Sequence, residues 1–525
     1  MIKYPIGIQS FKSLREAGFV YVDKTALIYR LANKGGGFYF LSRPRRFGKS
    51  LLISTLEAYF LGQKELFKGL AIEQMEKDWV QYPVLHMDLS GGNFQELKEF
   101  EYLIDNYLTK WEEVYGSRPS ERTLSLRFAG IIERAYQKTG RQVVILVDEY
   151  DKALLQNLGN STLHDELRNI MKAVFTQLKS QGQYIRFAMI TGVTKFSKVS
   201  IFSDLNNLAD LTLRADYETL CGISQEELDN YFHDSIQEMA DANGYTPEQA
   251  RDKLAAKYDG YHFSRKLTDI YNPFSLLNAF ESLSYDSFWF ASGTPTFLIE
   301  LLRRNDIALD ELNSFKMGTL ELGNVDLVLK SPIPVLFQSG YLTIKGYDGE
   351  NELYDLGFPN KEVIDGFFKA LLPVYANVSN GSVSNTIVDL RTAISKGDID
   401  SFMLILQSFF AGYDYSLIPR NDLERHYQNV IYAVCKLIGL RVSAEYHTSN
   451  GRIDMLIQTK EAVFIFEFKL NVSTDRALRQ IERKNYAAQF ATDSRKVYKI
   501  GVNFDSEIRG IKDWKYTDNS KGGEL

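Results

Sequence analysis

Residues 38–50 read Phe-Tyr-Phe-Leu-Ser-Arg-Pro-Arg-Arg-Phe-Gly-Lys-Ser, and they decide the fold of the N-terminal part of the chain. The apolar start of this stretch predicts a buried strand, and an apolar helical pattern follows at 51–60. A strand, a loop that closes on Gly48, and a helix form a phosphate-binding loop, because the N–H groups and the dipole of a helix N-terminus attract anions. In such a loop Lys49 reaches the β- and γ-phosphates of a nucleotide, and the Ser50 hydroxyl can ligate Mg²⁺.

This loop departs from the general pattern G-x-x-x-x-G-K-[ST] at its first position. Arg43 stands where the pattern has glycine, and Arg45 and Arg46 make the loop strongly basic. A basic surface loop would have the same composition, so the loop alone does not establish a nucleotide site.

A second segment supplies the acids that a nucleotide site needs. Residues 143–147 form a continuous apolar run, typical of a strand buried on both faces of a parallel sheet, and Asp148 and Glu149 follow it. Asp148 can hold Mg²⁺, while Glu149 can orient and polarise an attacking water. Two solvated acids that cap the next helix are the alternative. The Gly-Lys-Ser of the loop favours the nucleotide site.

The first 215 residues alternate strand and helix patterns, which predicts a parallel sheet covered by helices on both faces. The strand candidates are residues 38–41, 84–89, 143–147, 185–190 and 211–213. Thr191 follows the fourth candidate. If another strand separates the acid-bearing strand from the loop strand, Thr191 is placed to sense the γ-phosphate, although a helix N-cap explains it equally well.

Further along, the chain becomes helical and then mixed. Capping boxes at 224–227 and 246–249 predict the starts of two helices. The expected domains are a nucleotide-binding domain at 1–215, a helical lid at 216–300, a small winged-helix-like unit at 301–375, a linker rich in Ser, Asn and Gly at 376–385, and a C-terminal α/β domain with N-terminal helices at 386–525.

The C-terminal domain carries a second set of candidate residues on two successive strand patterns, 452–458 and 462–470. Glu467 and Lys469 fall on a face of the second strand that is otherwise apolar. Burying unpaired charge is costly, so these two side chains require partners.

The register of a hairpin between these strands suggests what the partner is. With the turn centred between Lys460 and Glu461, Asp454 lies directly opposite Glu467. Two facing carboxylates repel unless a cation bridges them, which predicts a Mg²⁺ site. Glu424, at the N-terminal end of an apolar helical stripe, is the candidate third oxygen ligand.

Lys469 can orient the attacking water or stabilise the charge of a phosphorane-like transition state. A salt bridge from Lys469 to Asp454 or Glu467 on a half-exposed sheet is the alternative explanation of the same pattern. The register is also open at this point, because Lys460 and Glu461 are unfavourable residues for a tight turn.

Both sets of residues resemble known families. Asp454 and Glu467-x-Lys469, after a helix that bears Glu424, are similar to the PD-(D/E)XK nuclease superfamily. Tyr-Val-Asp-Lys-Thr at 21–25 and Arg-Pro-Arg-Arg-Phe-Gly-Lys-Ser at 43–50 resemble the bacterial AAA-ATPase-like family. In that family the two modules are typically fused in one chain.

The resemblance implies an α/β protein in which a P-loop NTPase domain with a helical lid is joined to a restriction-endonuclease-like domain. It implies ATP and Mg²⁺ as cofactors, and nucleic acid, DNA in particular, as the partner of the C-terminal domain. It also implies an arginine-rich loop in which Arg43, Arg45 and Arg46 contact phosphates, one of them even as an arginine finger in cis.

Composition limits the remaining choices. The 525 residues exceed what one hydrophobic core normally supports, and the net charge is −6, so a contact with nucleic acid must be a local basic patch. No apolar stretch reaches the roughly 18 residues of a membrane span, and the two cysteines lie far apart. These features predict a cytoplasmic protein without a disulfide framework or a zinc cluster.

One candidate for a basic patch that contacts nucleic acid is the helical row Arg476, Arg479, Arg483 and Lys484, which a solvated helix face explains as well.

Two functions of different classes fit these observations. The first is an ATP-hydrolysing motor or switch coupled to a metal-dependent nuclease that acts on mobile or foreign DNA. The second is a nucleotide-gated interaction protein whose C-terminal domain binds nucleic acid without cleaving it. Assembly of identical chains is compatible with both. The first is favoured because Glu149, Asp454, Glu467 and Lys469 are all present, whereas a degenerate binding module is expected to have lost at least one of them.

Overall fold

The computed structural model describes residues 2–34, 37–195, 201–202, 205, 207–290, 302, 309–323, 331–376, 380–411 and 423–518, with the side chains of 313, 372–376, 380–385, 409, 411, 423 and 424 excepted. The chain divides into an N-terminal unit, residues 1–293 with 315–362, and a C-terminal unit, residues 294–314 with 363–525. None of the described helices has the length and apolar character that crossing a bilayer requires.

The N-terminal unit is built on a five-stranded parallel sheet with the strand order β2-β3-β4-β1-β5. The strands are β1 (Phe38–Ser42), β2 (Val84–Asp88), β3 (Val143–Asp148), β4 (Ile185–Gly192) and β5 (Ala209–Asp210). Every residue of β1 and β3 is buried, as expected for strands that are apolar on both faces. The predicted parallel sheet is therefore confirmed.

One strand differs from its predicted position. The fifth strand was expected at 211–213, and β5 instead ends at Asp210. The carboxylate of Asp210 accepts a hydrogen bond of 2.9 Å from the backbone N–H of Thr212, which turns the chain away from the sheet.

Helices connect the strands of this sheet. They are α1 (Phe11–Glu16), α2 (Thr25–Asn33), α3 (Lys49–Phe60), α4 (Ala71–Met75), α5 (Leu97–Tyr115), α6 (Leu124–Thr139), α7 (Lys152–Gln156), α8 (Ser161–Phe175) and α9 (Gln177–Ser180). In α8, Leu163, Leu167, Met171 and Val174 are buried on one stripe, because they recur at helical spacing.

A helical subdomain follows the parallel sheet. It contains α10 (Gln225–Tyr231), α11 (His233–Asn243), α12 (Pro247–Tyr258) and α13 (Pro273–Ser282), with the two-stranded pair β6 (Ile223–Ser224) and β7 (Ile270–Tyr271). Leu228, Phe232, Leu254 and Phe280 belong to one hydrophobic core that these elements share. Both predicted capping boxes are present, at Ser224 and at Thr246.

The N-terminal unit also contains a three-stranded antiparallel sheet with the order β8-β10-β9. Its elements are β8 (Phe315–Gly318), α14 (Thr319–Leu322), α15 (Ile333–Gln338), β9 (Thr343–Asp348) and β10 (Leu353–Gly357). The hairpin of β9 and β10 lies within residues 301–375, where the small winged-helix-like unit was expected. The domain boundaries proposed above stay predictions.

In the C-terminal unit a five-stranded sheet has the order β11-β12-β13-β14-β15, and β13 and β14 are its parallel pair. The strands are β11 (Arg441–Thr448), β12 (Gly451–Gln458), β13 (Ala462–Leu470), β14 (Lys496–Asp505) and β15 (Gly510–Asp518). The remaining helices are α16 (Lys361–Ala376), α17 (Asn380–Ser395), α18 (Ile399–Ala411), α19 (Leu423–Leu437) and α20 (Thr474–Arg483). A helix, three strands, a helix and a strand, α19-β11-β12-β13-α20-β14, fit the expected restriction-endonuclease-like fold.

The segment predicted as a linker at 376–385 is largely helical. Residues 380–385 lie in α17, and 377–379 fall outside the described residues. Leu390, Ala393 and Ile394 are buried at helical spacing in the same element, so packing of this stripe outweighs the Ser- and Asn-rich start.

Candidate functional sites

The phosphate-binding loop ends where α3 begins, at Lys49. Gly48 caps this helix with φ +90°, a left-handed conformation that favours glycine. Lys49 is buried, and its Nζ donates hydrogen bonds to the backbone carbonyls of Arg43 (2.9 Å) and Pro44 (3.0 Å). Burial lowers the pKa of Lys49, against the opposing effect of the nearby Asp148 carboxylate. The ammonium group is thus held inside the loop, while Ser50 is half-buried at the helix start.

Asp148 and Thr191 meet at the ends of neighbouring strands. β4 lies between β1 and β3, which is the strand order on which the sensor prediction for Thr191 depended. The Thr191 hydroxyl donates a hydrogen bond to Asp148 Oδ1, and both side chains are buried. Thr191 lies within β4 and bonds to this carboxylate, which is a different arrangement from a helix N-cap.

Glu149 extends the acidic end of β3 with a backbone in the left-handed region, at φ +50°. Burial raises the pKa of Glu149; Lys49 opposes this effect, and Asp148 adds to it. Solvated acids do not describe this pair, because Asp148 is only 3% exposed. The two carboxylates instead lie close to the loop lysine.

Asp151 is a buried member of this site that the sequence analysis missed. Its carboxylate accepts hydrogen bonds from the backbone N–H groups of Val193 and Thr194 and from the Thr194 hydroxyl. These bonds fix the turn that follows Thr191. The signal available in the sequence was a third acid in the run Asp148-Glu149-Tyr150-Asp151.

The three loop arginines do not share one role. Arg43 was expected to contact phosphates, but its side chain is 1% exposed and its guanidinium donates to the backbone carbonyls of Ser42 and Thr212. This placement contradicts the phosphate-contact expectation for Arg43. Arg45 and Arg46 are exposed, and the Arg46 guanidinium lies 4.8 Å from the ring centre of Phe274.

A cavity of about 100 Å³ adjoins the loop. Its lining is mostly apolar and includes Tyr21, Lys24, Gly48, Leu51, Cys221 and Leu277. Lys24 is its charged side chain, and its Nζ donates to both carboxylate oxygens of Glu227, at 2.5 and 2.6 Å. A mostly apolar lining with a charged side chain that can donate hydrogen bonds is typical of sites for small organic ligands.

In the C-terminal unit, β12 and β13 pair in the predicted register. Met455 lies opposite Phe466 and Leu456 opposite Ile465, which is the alignment of a turn centred between Lys460 and Glu461. One position beyond the last paired residues, Met455 and Phe466, Asp454 Oδ2 accepts a hydrogen bond of 2.7 Å from the backbone N–H of Phe468. Asp454 therefore lies beside Glu467, as the register implied.

Glu467 is fully buried, and its Oε1 accepts a hydrogen bond of 2.7 Å from Lys469 Nζ. Burial and the neighbouring Asp454 raise the pKa of Glu467 to about 7, although Lys469 opposes this shift. The salt bridge of the alternative explanation is thus present. It does not exclude a metal ligand, because among the described residues no donor meets Glu467 Oε2 with hydrogen-bond geometry.

Gln480, on α20, is a further neighbour of this carboxylate that the sequence analysis did not assign to the site. Its side chain lies close enough to lower the pKa of Glu467. Tyr486 follows α20, and its hydroxyl donates to the backbone carbonyl of Arg452 on β12. The helix after β13 is therefore joined to both strands that bear the candidate residues.

The metal ligands can be assigned only in part. Glu424 lies in α19, but its side chain is outside the described residues. Of the side chains that are described, no group of three or more His, Cys, Asp or Glu residues is placed to hold a metal ion. The donors on the strands are the oxygens of Asp454 and Glu467, a type that suits Mg²⁺ when water or phosphate oxygens complete the coordination.

The basic row on α20 has the exposure expected from either interpretation. Arg476, Arg479 and Arg483 are exposed, while Ala477 and Ile481 are buried against the domain. A solvated helix face and a phosphate-contacting face both fit this arrangement.

Comparison with known proteins identifies both regions. Residues 5–202 match the family model described as a predicted AAA-ATPase, and residues 422–514 match the PD-(D/E)XK nuclease superfamily. An uncharacterized protein in the vnfD 5' region of Azotobacter chroococcum mcd 1 is 35% identical over 523 residues, which cover 97% of this chain and 98% of that protein. The chain therefore belongs to the predicted AAA-ATPase family, with a C-terminal domain of the PD-(D/E)XK nuclease superfamily.

Proposed function

We propose that the protein hydrolyses ATP and cleaves nucleic acid, DNA in particular, in a Mg²⁺-dependent reaction. The observation that carries the proposal is the convergence of Asp454, Glu467 and Lys469 where β12 and β13 part. Such a set of two acids and a lysine is suited to phosphodiester hydrolysis, and its fusion to a nucleotide site suggests that ATP controls the cleavage.

In the nucleotide site, Lys49 and the N–H groups at the start of α3 would bind the β- and γ-phosphates. Ser50 and Asp148 would hold the Mg²⁺ that accompanies ATP. Glu149 would accept a hydrogen bond from the attacking water, a role that its raised pKa favours. Thr191, bonded to Asp148, would report the presence of the γ-phosphate.

The nucleoside would occupy the cavity that adjoins Gly48. An apolar lining suits a purine ring, and Lys24 can donate a hydrogen bond to a ring nitrogen. Arg45 and Arg46, which are exposed in the loop, remain the candidates for additional phosphate contacts.

In the nuclease site, Asp454 and Glu467 would hold Mg²⁺, with Glu424 as the proposed third ligand. The ion would polarise the scissile phosphate and lower the pKa of a bound water. Lys469 would orient the nucleophile and stabilise negative charge on the phosphate oxygens. Exposed arginines on α20 would contact the nucleic-acid backbone.

The test is incubation of the purified protein with plasmid DNA, single-stranded DNA and RNA, in Mg²⁺, Mn²⁺ or EDTA, with and without ATP. The matched variants are Asp454→Asn and Asp513→Asn, because Asp513 is an exposed aspartate of the same sheet. We expect divalent-dependent cleavage by the wild type and by Asp513→Asn, and none by Asp454→Asn. Binding without cleavage under every condition would favour the interaction-protein alternative instead.

A further inference from the structure

We propose that Arg43 is a positioning residue of the nucleotide site, and that together with Phe263 it holds the phosphate-binding loop in its ligand-binding shape. The inference rests on the proposed ATP site. It replaces the expected phosphate contact of Arg43 with a role on the inner side of the loop.

The guanidinium of Arg43 is placed like a structural cation. Its Nη1 donates to the backbone carbonyls of Ser42 (2.9 Å) and Thr212 (2.8 Å), and its Nη2 donates to that of Tyr217 (3.4 Å). Its central carbon lies 4.2 Å from the ring centre of Phe263, within the range of a cation–π interaction. The side chain thus joins the loop to the segment after β5 and to Phe263.

The other end of the loop packs on the same aromatic residue. Phe47 is buried, and its ring meets Tyr261 edge-on at 4.8 Å and Phe263 edge-on at 5.4 Å between ring centres. Arg43 and Phe47 flank the exposed part of the loop, so Phe263 restrains it from both sides. Because Lys49 Nζ donates to the Arg43 carbonyl, the position of Arg43 also affects where the lysine lies.

The segment that carries Phe263 is itself braced by β9 and by the chain after β10. The backbone N–H of His262 donates to Thr343 Oγ1 at 2.7 Å, and Asn360 Nδ2 donates to the Asp259 carbonyl at 2.7 Å. Gly260 has φ +83°, and a Cβ there would lie 2.5 Å from the Pro359 carbonyl oxygen, so this close approach requires glycine. These contacts hold residues 258–263 in place, and this segment carries the two rings, Tyr261 and Phe263, that support the loop.

Neither glycine nor lysine can replace this arginine. Burial lowers the pKa of Arg43 to about 10, so the group is still a cation at neutral pH. Removing it leaves buried carbonyl oxygens without donors, and a lysine cannot reach several carbonyls in a plane while stacking on a ring.

The experiment is calorimetric titration of the full-length protein with ATP·Mg²⁺. Arg43→Gly restores the general loop pattern, so the pattern alone predicts unchanged binding. We expect affinity at least about tenfold weaker, partial recovery with added methylguanidinium, and no full recovery in Arg43→Lys. Phe263→Leu is also expected to weaken ATP binding. In the double variant Arg43→Gly/Phe263→Leu, the loss of binding free energy should be smaller than the sum of the losses in the two single variants.

The matched control is Arg127→Ala, which removes another largely buried arginine of the same unit, paired with Asp105 and Glu112. It should lower the melting temperature while leaving ATP affinity within about twofold of wild type. If Arg43→Gly does not fold, the ATP affinities of Arg43→Lys and Phe263→Leu, measured by the same titration, test the inference. Equal ATP affinity in wild type and the Arg43 and Phe263 variants would overturn this inference alone. Absence of ATP binding by the wild type would overturn the proposed function and this inference with it.

Discussion

Asp454 accepts a 2.7 Å hydrogen bond from the backbone N–H of Phe468, the residue that follows Glu467. The bond joins β12 to β13 next to the last paired position, Met455 opposite Phe466. It holds Asp454 beside the buried Glu467, although two neighbouring carboxylates repel each other when both are charged. Either a divalent cation or a proton on Glu467 relieves that repulsion, and the two possibilities lead to different measurements.

Asp454→Asn should abolish divalent-dependent cleavage, with a loss of at least about 100-fold, because it removes the charge of one of the proposed carboxylate ligands of the metal. The same change relieves repulsion with Glu467, so the melting temperature in EDTA should rise. Asparagine keeps an oxygen that can accept from Phe468. Calorimetry in EDTA and in Mg²⁺ checks both effects, with Asp513→Asn as the control. A lower melting temperature in EDTA would contradict the proposed repulsion.

Lys469→Ala should separate metal binding from catalysis. The metal ligands remain, so Mg²⁺ should still bind, whereas cleavage should fall by about 100-fold or more because the positioned cation is lost. Titration with Mn²⁺ measures the first effect and a nuclease assay the second. Lys460→Ala, in the exposed turn of the same hairpin, is the matched control. Wild-type cleavage rates in Lys469→Ala would refute the role.

Lys49→Ala should weaken ATP·Mg²⁺ binding by about 100-fold or more, because a buried ammonium that faces the β- and γ-phosphates is lost. Calorimetric titration measures the affinity. Lys98→Ala removes an exposed lysine of α5 and should bind as the wild type does. Nuclease activity measured without ATP should be unchanged in both variants, because the candidate nuclease residues lie in the C-terminal unit and both lysines lie in the N-terminal unit.

Glu149→Gln should keep ATP binding and reduce turnover by at least about 100-fold, since the amide preserves shape but no longer polarises the water. Phosphate release and ATP affinity are measured on the same preparation. Glu166→Gln, an exposed glutamate of α8, is the control. Turnover by Glu149→Gln at the wild-type rate would remove Glu149 from the mechanism.

The register of β12 and β13 could be predicted from sequence because the side chains of a strand alternate with a period of two. The turn between them was a weaker prediction, since Lys460 and Glu461 are unfavourable turn residues. Thr459 explains why the turn forms: its hydroxyl accepts hydrogen bonds from the N–H groups of Glu461 (3.3 Å) and Ala462 (2.9 Å). A side chain outside the two central positions thus stabilises the turn.

The orientation of the Arg43 side chain could not be predicted in the same way. Sequence spacing places it in the loop, but its carbonyl acceptors and Phe263 are distant in the chain and come together only in the folded unit. The same is true of Asp151, whose partners Val193 and Thr194 follow β4. Local patterns identify candidate residues, whereas long-range contacts decide which of them face the ligand.

Glu467 should make the stability of the metal-free protein depend on pH. Burial and Asp454 raise the pKa of Glu467 from 4.5 to about 7. Between these values the folded state retains a proton that the unfolded state has lost. The free energy of unfolding should therefore fall as pH rises through this window and level off above it. Glu467→Gln removes the titrating group. In EDTA, the melting temperature of Glu467→Gln relative to that of the wild type should therefore rise with pH across the window, whereas Glu461→Gln, at an exposed position, should follow the wild-type profile.

Mg²⁺ should stabilise the wild type more above about pH 7 than below it, because Glu467 must be deprotonated to bind the metal, and Mg²⁺ should have a smaller effect on Glu467→Gln. Parallel melting profiles for wild type and Glu467→Gln across the window would show that Glu467 titrates normally in the folded protein.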